Sequence, residues 1–258
     1  MTSAAVVQVT SRDNPLLKQI RLLTRDPGAY RKVGQMWLEG DHLCSALMER
    51  GGQALILVMA ESKSHLCLNY QALRPSKIVL VPDALMRELS GLESAPWMGC
   101  VMQMPPAPVL QPNAATVILD RVQDAGNVGS ILRSAAALGY SQVMALKGTA
   151  ALWSPKVLRA GMGAHFGLHL LEGCHEDEVA QLTVPVWVTS SHQGQFLHQL
   201  QPVWPCAWVM GHEGQGVSTS LMRLATAHVR IPQPGGEESL NVAAAAAICL
   251  YSTTPKPE

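Results

Sequence analysis

The stretch Thr116-Val117-Ile118-Leu119-Asp120-Arg121-Val122-Gln123-Asp124-Ala125-Gly126-Asn127-Val128-Gly129-Ser130-Ile131-Leu132-Arg133-Ser134 decides the fold. Thr116–Leu119 is an apolar run of strand length, and Val128–Leu138 has the length and pattern of a helix. Between them, Gly126 and Gly129 permit a tight turn into that helix, and Asn127 is placed to satisfy donors at its start. Arg133 falls about two turns into the helix, among small apolar neighbours. The turn is not GxGxxG, so a dinucleotide fold by that route is disfavoured.

The same alternation continues on both sides. Downstream strand candidates are Gln142–Leu146, Val184–Thr189, Ala207–Met210 and His228–Ile231, with helices over Ser218–Leu224 and Asn241–Ser252. Apolar strands alternating with helices imply a parallel sheet covered on both faces. Ligands then bind beyond the carboxyl ends of the strands. Upstream, Asn14-Pro15 opens a helix carrying Leu16, Leu17, Ile20 and Leu23. Met36–Leu38 reads as a strand, Gly40–Arg50 as a helix closed by Gly51-Gly52, and Leu55–Ala60 and Lys77–Val81 as buried strands. Four prolines between Met104 and Asn113 read as a semi-rigid linker. The expected division is an α/β domain over 1–104, a linker over 105–113, and a larger α/β domain over 114–258.

Two further stretches follow strands. Gly211-His212-Glu213-Gly214-Gln215-Gly216-Val217-Ser218 places three glycines around Glu213, so the backbone turns sharply or closely approaches something. A capping role explains Ser218 but not Glu213. Ile231-Pro232-Gln233-Pro234-Gly235-Gly236-Glu237-Glu238-Ser239-Leu240-Asn241 precedes five consecutive alanines, Ala243–Ala247. Ser239 or Asn241 is a candidate cap for that helix, whose alanines allow close backbone packing.

Composition narrows the function classes. The 258 residues are 48% hydrophobic and 15% charged, enough apolar content for a real core. The longest apolar run, Val242–Tyr251, is short of the ~20 residues of a membrane span, and no signal peptide is legible. A cytoplasmic protein is the default. Lysine plus arginine and aspartate plus glutamate number 19 each, which speaks against coating nucleic acid by bulk charge. A local basic cluster remains in Arg12, Lys18, Arg21, Arg25, Arg31 and Lys32. The six cysteines are widely spaced, excluding CxxC signatures and suggesting buried reduced thiols. His165 and His169 are the one tight histidine pair, but no glutamate lies between them, so no metal site is expected.

Taken in order, the three post-strand stretches resemble the motifs of the SPOUT methyltransferases, specifically the TrmH/SpoU RNA 2′-O-ribose methyltransferases. The resemblance lies in Asn127, Gly129 and Arg133; in Gly211, Glu213, Gly214 and Gly216; and in Ile231, Pro232, Ser239, Leu240 and Asn241, and it spans roughly 115–252. Asn14-Pro15-Leu16-Leu17-Lys18 and Leu38-Glu39-Gly40 resemble the family's N-terminal L30e-like substrate-binding domain. Ala125 and Gln233 depart from the family pattern, where proline and methionine are common.

The resemblance implies a SPOUT α/β trefoil-knot domain with a parallel sheet, S-adenosylmethionine as cofactor, RNA as substrate and a homodimer as the assembly. It places Thr189, Gly211, Ile231 and Leu240 at the cofactor. Arg133 takes the decisive catalytic position, with Asn127, Glu213, Ser239 and Asn241 orienting it and the ribose. Guanidinium stays protonated at neutral pH, so Arg133 is expected to anchor a phosphate and stabilise the developing alkoxide rather than act as a base. The basic cluster then grips RNA phosphates. Glycine at 211 is expected to let the cofactor approach. The two-domain layout favours 23S rRNA over tRNA by analogy. A tRNA 2′-O-methyltransferase and a catalytically silent RNA-binding or ribosome-assembly factor are the alternatives. A nucleotide-dependent α/β enzyme is disfavoured for lack of a phosphate loop.

Overall fold

The computed structural model describes residues 4–190, 193–201, 203–235 and 239–255. Gly236, Glu237 and Glu238 of the third motif lie outside the described residues. The chain forms two compact units, one of Met1–Pro106 with Trp153–Phe166, the other of Ala107–Leu152 with Gly167–Glu258.

The first unit runs β1 (Ala5–Gln8), α1 (Pro15–Arg25), α2 (Ala29–Val33), β2 (Gln35–Glu39), α3 (Asp41–Glu49), β3 (Ile56–Ala60), β4 (Lys77–Val81), α4 (Asp83–Leu89) and β5 (Met98–Gln103). Its sheet has the order β1-β4-β3-β5-β2, parallel across the first three strands and antiparallel on both sides of β5. The α1 boundary follows from chemistry. The Asn14 side chain accepts from the Leu16 N–H, Pro15 occupies the first turn, and Leu17, Ile20 and Leu23 face the core.

The second unit runs β6 (Thr116–Asp120), α5 (Ala125–Ala137) and β7 (Gln142–Leu146). After α6 (Pro155–Gly161) it continues with β8 (His169–Cys174), α7 (Glu176–Val179), β9 (Val186–Thr189), β10 (Gln195–Phe196), β11 (Ala207–Gly211), α8 (Thr219–Leu224), β12 (Ala227–Arg230) and α9 (Val242–Thr253). All seven strands are parallel, in the order β10-β12-β9-β11-β6-β7-β8. Ile118, Met144, Val188, Val209 and Leu221 are among the residues buried in its core. The chain lays down β9 first and only then inserts β11 between β9 and β6. After β12 it returns to place α9 on α5 and β11, a re-entrant order that a threaded fold requires. The end of α9 is pinned by Thr253, whose hydroxyl meets Tyr140 Oη at 2.6 Å and accepts from Trp208 Nε1 at 3.1 Å.

Three differences from the sequence reading have physical causes. The segment Trp153–Phe166, which holds α6, belongs to the first unit, where Arg159 Nη1 donates to buried Glu39 Oε2 at 3.1 Å. A single division at the linker omits that excursion, because local signals such as the Ser154 cap show a helix but not the sheet it packs on. Next, α5 begins at Ala125, so Gly126, Asn127 and Gly129 lie inside the helix rather than in a turn before it. Its cap is Asp124, which accepts from the Asn127 N–H at 2.7 Å. Lastly, Gln111 and Pro112 of the proline-rich stretch are fixed to the second unit, through Gln142 Oε1 and the Thr183 N–H.

Candidate active site

Because Asp124 caps α5, the side chain of Asn127 is free to reach across the strand ends. Its Nδ2 donates to Glu213 Oε1 at 3.1 Å, and its Oδ1 accepts from Asn241 Nδ2 at 3.0 Å. Asn241 Oδ1 in turn accepts from the N–H groups of Ala243 and Ala244, capping α9. The three motifs are thereby joined by one chain of hydrogen bonds. Its polarity is fixed throughout: an ionised carboxylate only accepts, so each amide must donate toward Glu213 and accept from behind. Glu213 takes two more bonds, from the N–H groups of Gln123 and Asp124 at 3.2 and 3.1 Å.

The loop carrying Glu213 is closed on itself. His212 and Gly216 exchange backbone bonds at 3.1 and 2.8 Å, and His212 Nδ1 accepts from the N–H groups of Gly214 and Gln215. Gly211 is required by this closure: a Cβ there lies 2.4 Å from Gly216 C and Val217 N. A side chain at 211 would strike its own loop, so loop closure requires glycine there independently of any ligand. Ser218 starts α8 without a side-chain capping bond, and its Oγ pairs with Glu176 Oε1 at 3.2 Å instead.

Burial acts to raise the Glu213 carboxyl, but bonds from the Asn127 amide and from the backbone N–H groups of Glu213, Gln123 and Asp124 outweigh it and hold the group below its ordinary 4.5. A depressed folded value means the contribution of the carboxylate is fully present above 4.5 and is lost as pH falls through the lower folded value. Cofactor binding that depends on this carboxylate is therefore expected to weaken below pH 4.5 in the wild type by a step that Glu213→Gln lacks, measured by titration calorimetry. The same profile in both proteins sinks the assignment.

The loops after β9, β11 and β12, with the start of α9, enclose a cavity of about 1070 Å³. That is just above the usual range of about 300–1,000 Å³ for small-molecule sites. Thr189, Gly211, Ile231 and Leu240 all line it, as do Glu213, Ser239 and Asn241. Thr189 also ties β9 to β11 by donating to the Val209 carbonyl at 2.9 Å. Asn127 and Arg133 are not part of the lining. Arg133 is exposed on the open face of α5 with Gly126, Ser130 and Ala137, and makes no hydrogen bond or ion pair among the described residues. The basic cluster lies on the first unit and is partly neutralised. Arg12 pairs with Glu88 at 2.9 Å, Lys18 pairs with Asp13 at 3.0 Å, and Arg21 Nη1 donates to the Arg12 carbonyl. Arg31 lies over the Tyr30 ring, while Arg25 and Lys32 are exposed.

Sequence reasoning missed Asp120, Arg121, Gln215 and Gln233. Asp120 is 1% exposed and holds the Ser218 N–H at 2.6 Å. No local pattern marks it, since it reads simply as the end of a strand. Gln233 lines the cavity with a buried Oε1 that has no partner among the described residues. An orphaned, buried acceptor in the cavity wall fits a ligand that brings N–H donors, as an adenine amino group or an α-ammonium does.

A family model described as the SpoU rRNA methylase family matches residues 114–251. An uncharacterised tRNA/rRNA methyltransferase of Synechocystis sp. is 30% identical, covering 95% of this chain and 93% of its own length. The 23S rRNA (guanosine(2553)-2′-O)-methyltransferase of Bacillus subtilis is 31% identical over 85% of this chain and 88% of its own. The crystal structure of an AdoMet-bound rRNA methyltransferase from Sinorhizobium meliloti superposes with a TM-score of 0.85 at 27% identity, covering 96% of this chain and 97% of that one. With its three motifs joined at the mouth of one cavity, the chain belongs to the SpoU rRNA methylase family.

Proposed function

We propose that this protein transfers a methyl group from S-adenosylmethionine to a ribose 2′-hydroxyl of 23S rRNA. The observation that carries the reading is the hydrogen-bonded chain Glu213–Asn127–Asn241 at the edge of the cavity. When bound, the cofactor supplies a sulfonium methyl whose leaving group is a neutral thioether. Thr189, Gly211, Ile231 and Leu240 hold it, and the Gln233 carbonyl offers it an acceptor. Asn127, Glu213 and Asn241 fix the loops against each other, and Ser239 faces the cavity beside them to orient the ribose, so that the reacting groups meet without further ordering. Arg133 anchors a phosphate and stabilises the alkoxide developing on the ribose. As the oxygen–methyl bond forms and the methyl–sulfur bond breaks, the 2′-hydroxyl proton passes to water, since a guanidinium that stays cationic cannot accept it.

Residues 1–104 grip RNA in this reading and residues 114–258 carry the chemistry. The exposed side chains of Arg25 and Lys32 support the first assignment. No described helix is long and apolar enough to cross a membrane. A reducing, cytoplasmic setting is supported by the six free cysteines, five of them buried. The Bacillus subtilis relative favours 23S rRNA. The test is incubation with labelled S-adenosylmethionine and either 23S rRNA or tRNA, followed by mapping of ribose methylation. Label in 23S rRNA supports the reading. Label in tRNA alone moves the substrate, and cofactor binding without transfer leaves a silent RNA-binding factor.

A homodimer is the proposed assembly. Ala246 of the alanine run is buried within the unit, where α9 packs on α5. Ala244, Ile248 and Tyr251, spaced as one helical stripe, stay exposed, Ile248 at 41% and Tyr251 at 75%. Sedimentation at micromolar concentration is expected to show a dimer, and Tyr251→Lys to shift it toward monomer. A monomeric wild type sinks the proposal.

A further inference from the structure

Arg121 stands at φ +60°, in the left-handed region that L side chains other than asparagine and aspartate seldom enter. The turn is secured all round. The Arg121 N–H donates to Thr149 Oγ1 at 3.1 Å, and that hydroxyl donates to the Leu119 carbonyl at 2.9 Å. Gly148 gives the side chain room, since a Cβ there lies 3.1 Å from Arg121 Cγ. A glycine satisfies this backbone without strain, so an arginine held here points to a use for its side chain.

The guanidinium makes three bonds. Nε and Nη2 donate to the two carboxylate oxygens of Asp120 at 2.9 and 3.4 Å, and Nη1 donates to Gln215 Oε1 at 2.9 Å. Asp120 Oδ2 also receives the Ser218 N–H. One buried carboxylate therefore holds the exit of the 211–218 loop directly and, through Arg121, its crown at Gln215. The Gln215 N–H passes the hold to His212 Nδ1 at 3.2 Å. The bond to Asp120 raises the Arg121 pKa, so the link stays charged at every working pH.

We infer that Arg121 is a positioning residue for the cofactor cavity, acting through Gln215 to set the loop that forms one wall and carries Glu213. The inference rests on the reading of that cavity as the S-adenosylmethionine site. It is tested on the full chain by calorimetric titration with S-adenosylmethionine, using Arg121→Gly, Gln215→Ala and the two combined. Arg121→Gly relieves the backbone and is expected to fold. A companion carrying Asp120→Asn as well removes the stranded buried charge while Asn Oδ1 can still accept the Ser218 N–H, and its Kd is read against Asp120→Asn alone.

Each single variant is expected to raise Kd about tenfold, and the combination about tenfold rather than a hundredfold, because both break one link. The melting temperature of the companion should match wild type while its Kd stays raised. Three results overturn the inference: Kd within about twofold of wild type in Arg121→Gly, multiplication of the two effects in the combined variant, or a Kd that recovers with the melting temperature in the companion. A wild-type chain that does not bind S-adenosylmethionine overturns the cavity reading and the inference together.

Discussion

Arg133→Ala abolishes methyl transfer while S-adenosylmethionine binding stays within about twofold of wild type; a single charge-stabilising donor is worth about 10³ in rate, or about 4 kcal/mol of barrier. The two halves of this expectation have separate grounds. Arg133 is exposed on α5, outside the cavity lining, and bonded to none of Asn127, Glu213 or Asn241. Removing its side chain beyond Cβ therefore leaves every wall of the cavity in place. The loss in transfer follows from what a guanidinium supplies and alanine does not, a fixed positive charge with planar donors for a phosphate or a ribose oxygen. Arg133→Lys keeps the charge but not the fork and should fall between the two. The checks are single-turnover transfer to RNA and calorimetric titration with the cofactor. Near-normal turnover in the alanine variant removes Arg133 from the mechanism, and a collapse of cofactor affinity makes it part of the cavity instead.

The position of Arg133 also shows where sequence reading ran out. The motifs identified which residues belong together, and Glu213, Asn127 and Asn241 do meet within 3.1 Å of one another along a chain. Their distribution of labour was not legible. Asn127 reads as a helix cap because Asn is a good one, yet the helix starts three residues earlier, where Asp124 accepts from the Asn127 N–H. With the cap at Asp124, Asn127 sits in the first turn and its amide bonds to Glu213 and Asn241. The parallel sheet was legible from strand–helix alternation, since each buried strand is a short apolar run. The strand His169–Cys174 was not, because Glu172 and Gly173 interrupt its apolar pattern; Glu172 is used to accept the Leu152 N–H at 2.7 Å. The left-handed backbone at Arg121 has no sequence signature at all. It exists because tertiary bonds to Thr149 and Gln215, with the local pair to Asp120, over-determine it. Gln233 stood out in the sequence only as a departure from a family pattern, and its meaning depends on burial: the same amide in water needs no partner.

Gly211→Ala should uncouple the cofactor site while the chain still folds. The added Cβ lies 2.4 Å from Gly216 C and Val217 N and 2.7 Å from Gly216 O. These are backbone atoms, so no rotamer change relieves the clash, and the 216–217 segment must move by about 1 Å to restore ordinary packing distances. Three bonds lie in the path of that movement. They are the paired bonds between His212 and Gly216 and the 2.6 Å bond from the Ser218 N–H to Asp120. Loss of the pair opens the loop and withdraws Glu213 from Asn127, Gln123 and Asp124 together. Overpacking of this kind costs about 1–3 kcal/mol, or about 2–4 °C of melting temperature per kcal/mol at this chain length, which a folded domain survives. The loss at the cofactor is larger, because one wall of the cavity is displaced; Kd for S-adenosylmethionine should rise at least about a hundredfold, the equivalent of about 2.7 kcal/mol. Gly214 supplies the control. It sits in the same loop and the same motif, but a Cβ there meets only the His212 ring, at 3.8 Å, which is ordinary contact. Gly214→Ala is thus expected to bind cofactor within about twofold of wild type, since nothing backbone-deep is displaced. Binding retained at 211 and lost at 214 inverts the expected order, and the loop would then owe its shape to something other than the closure seen between His212 and Gly216.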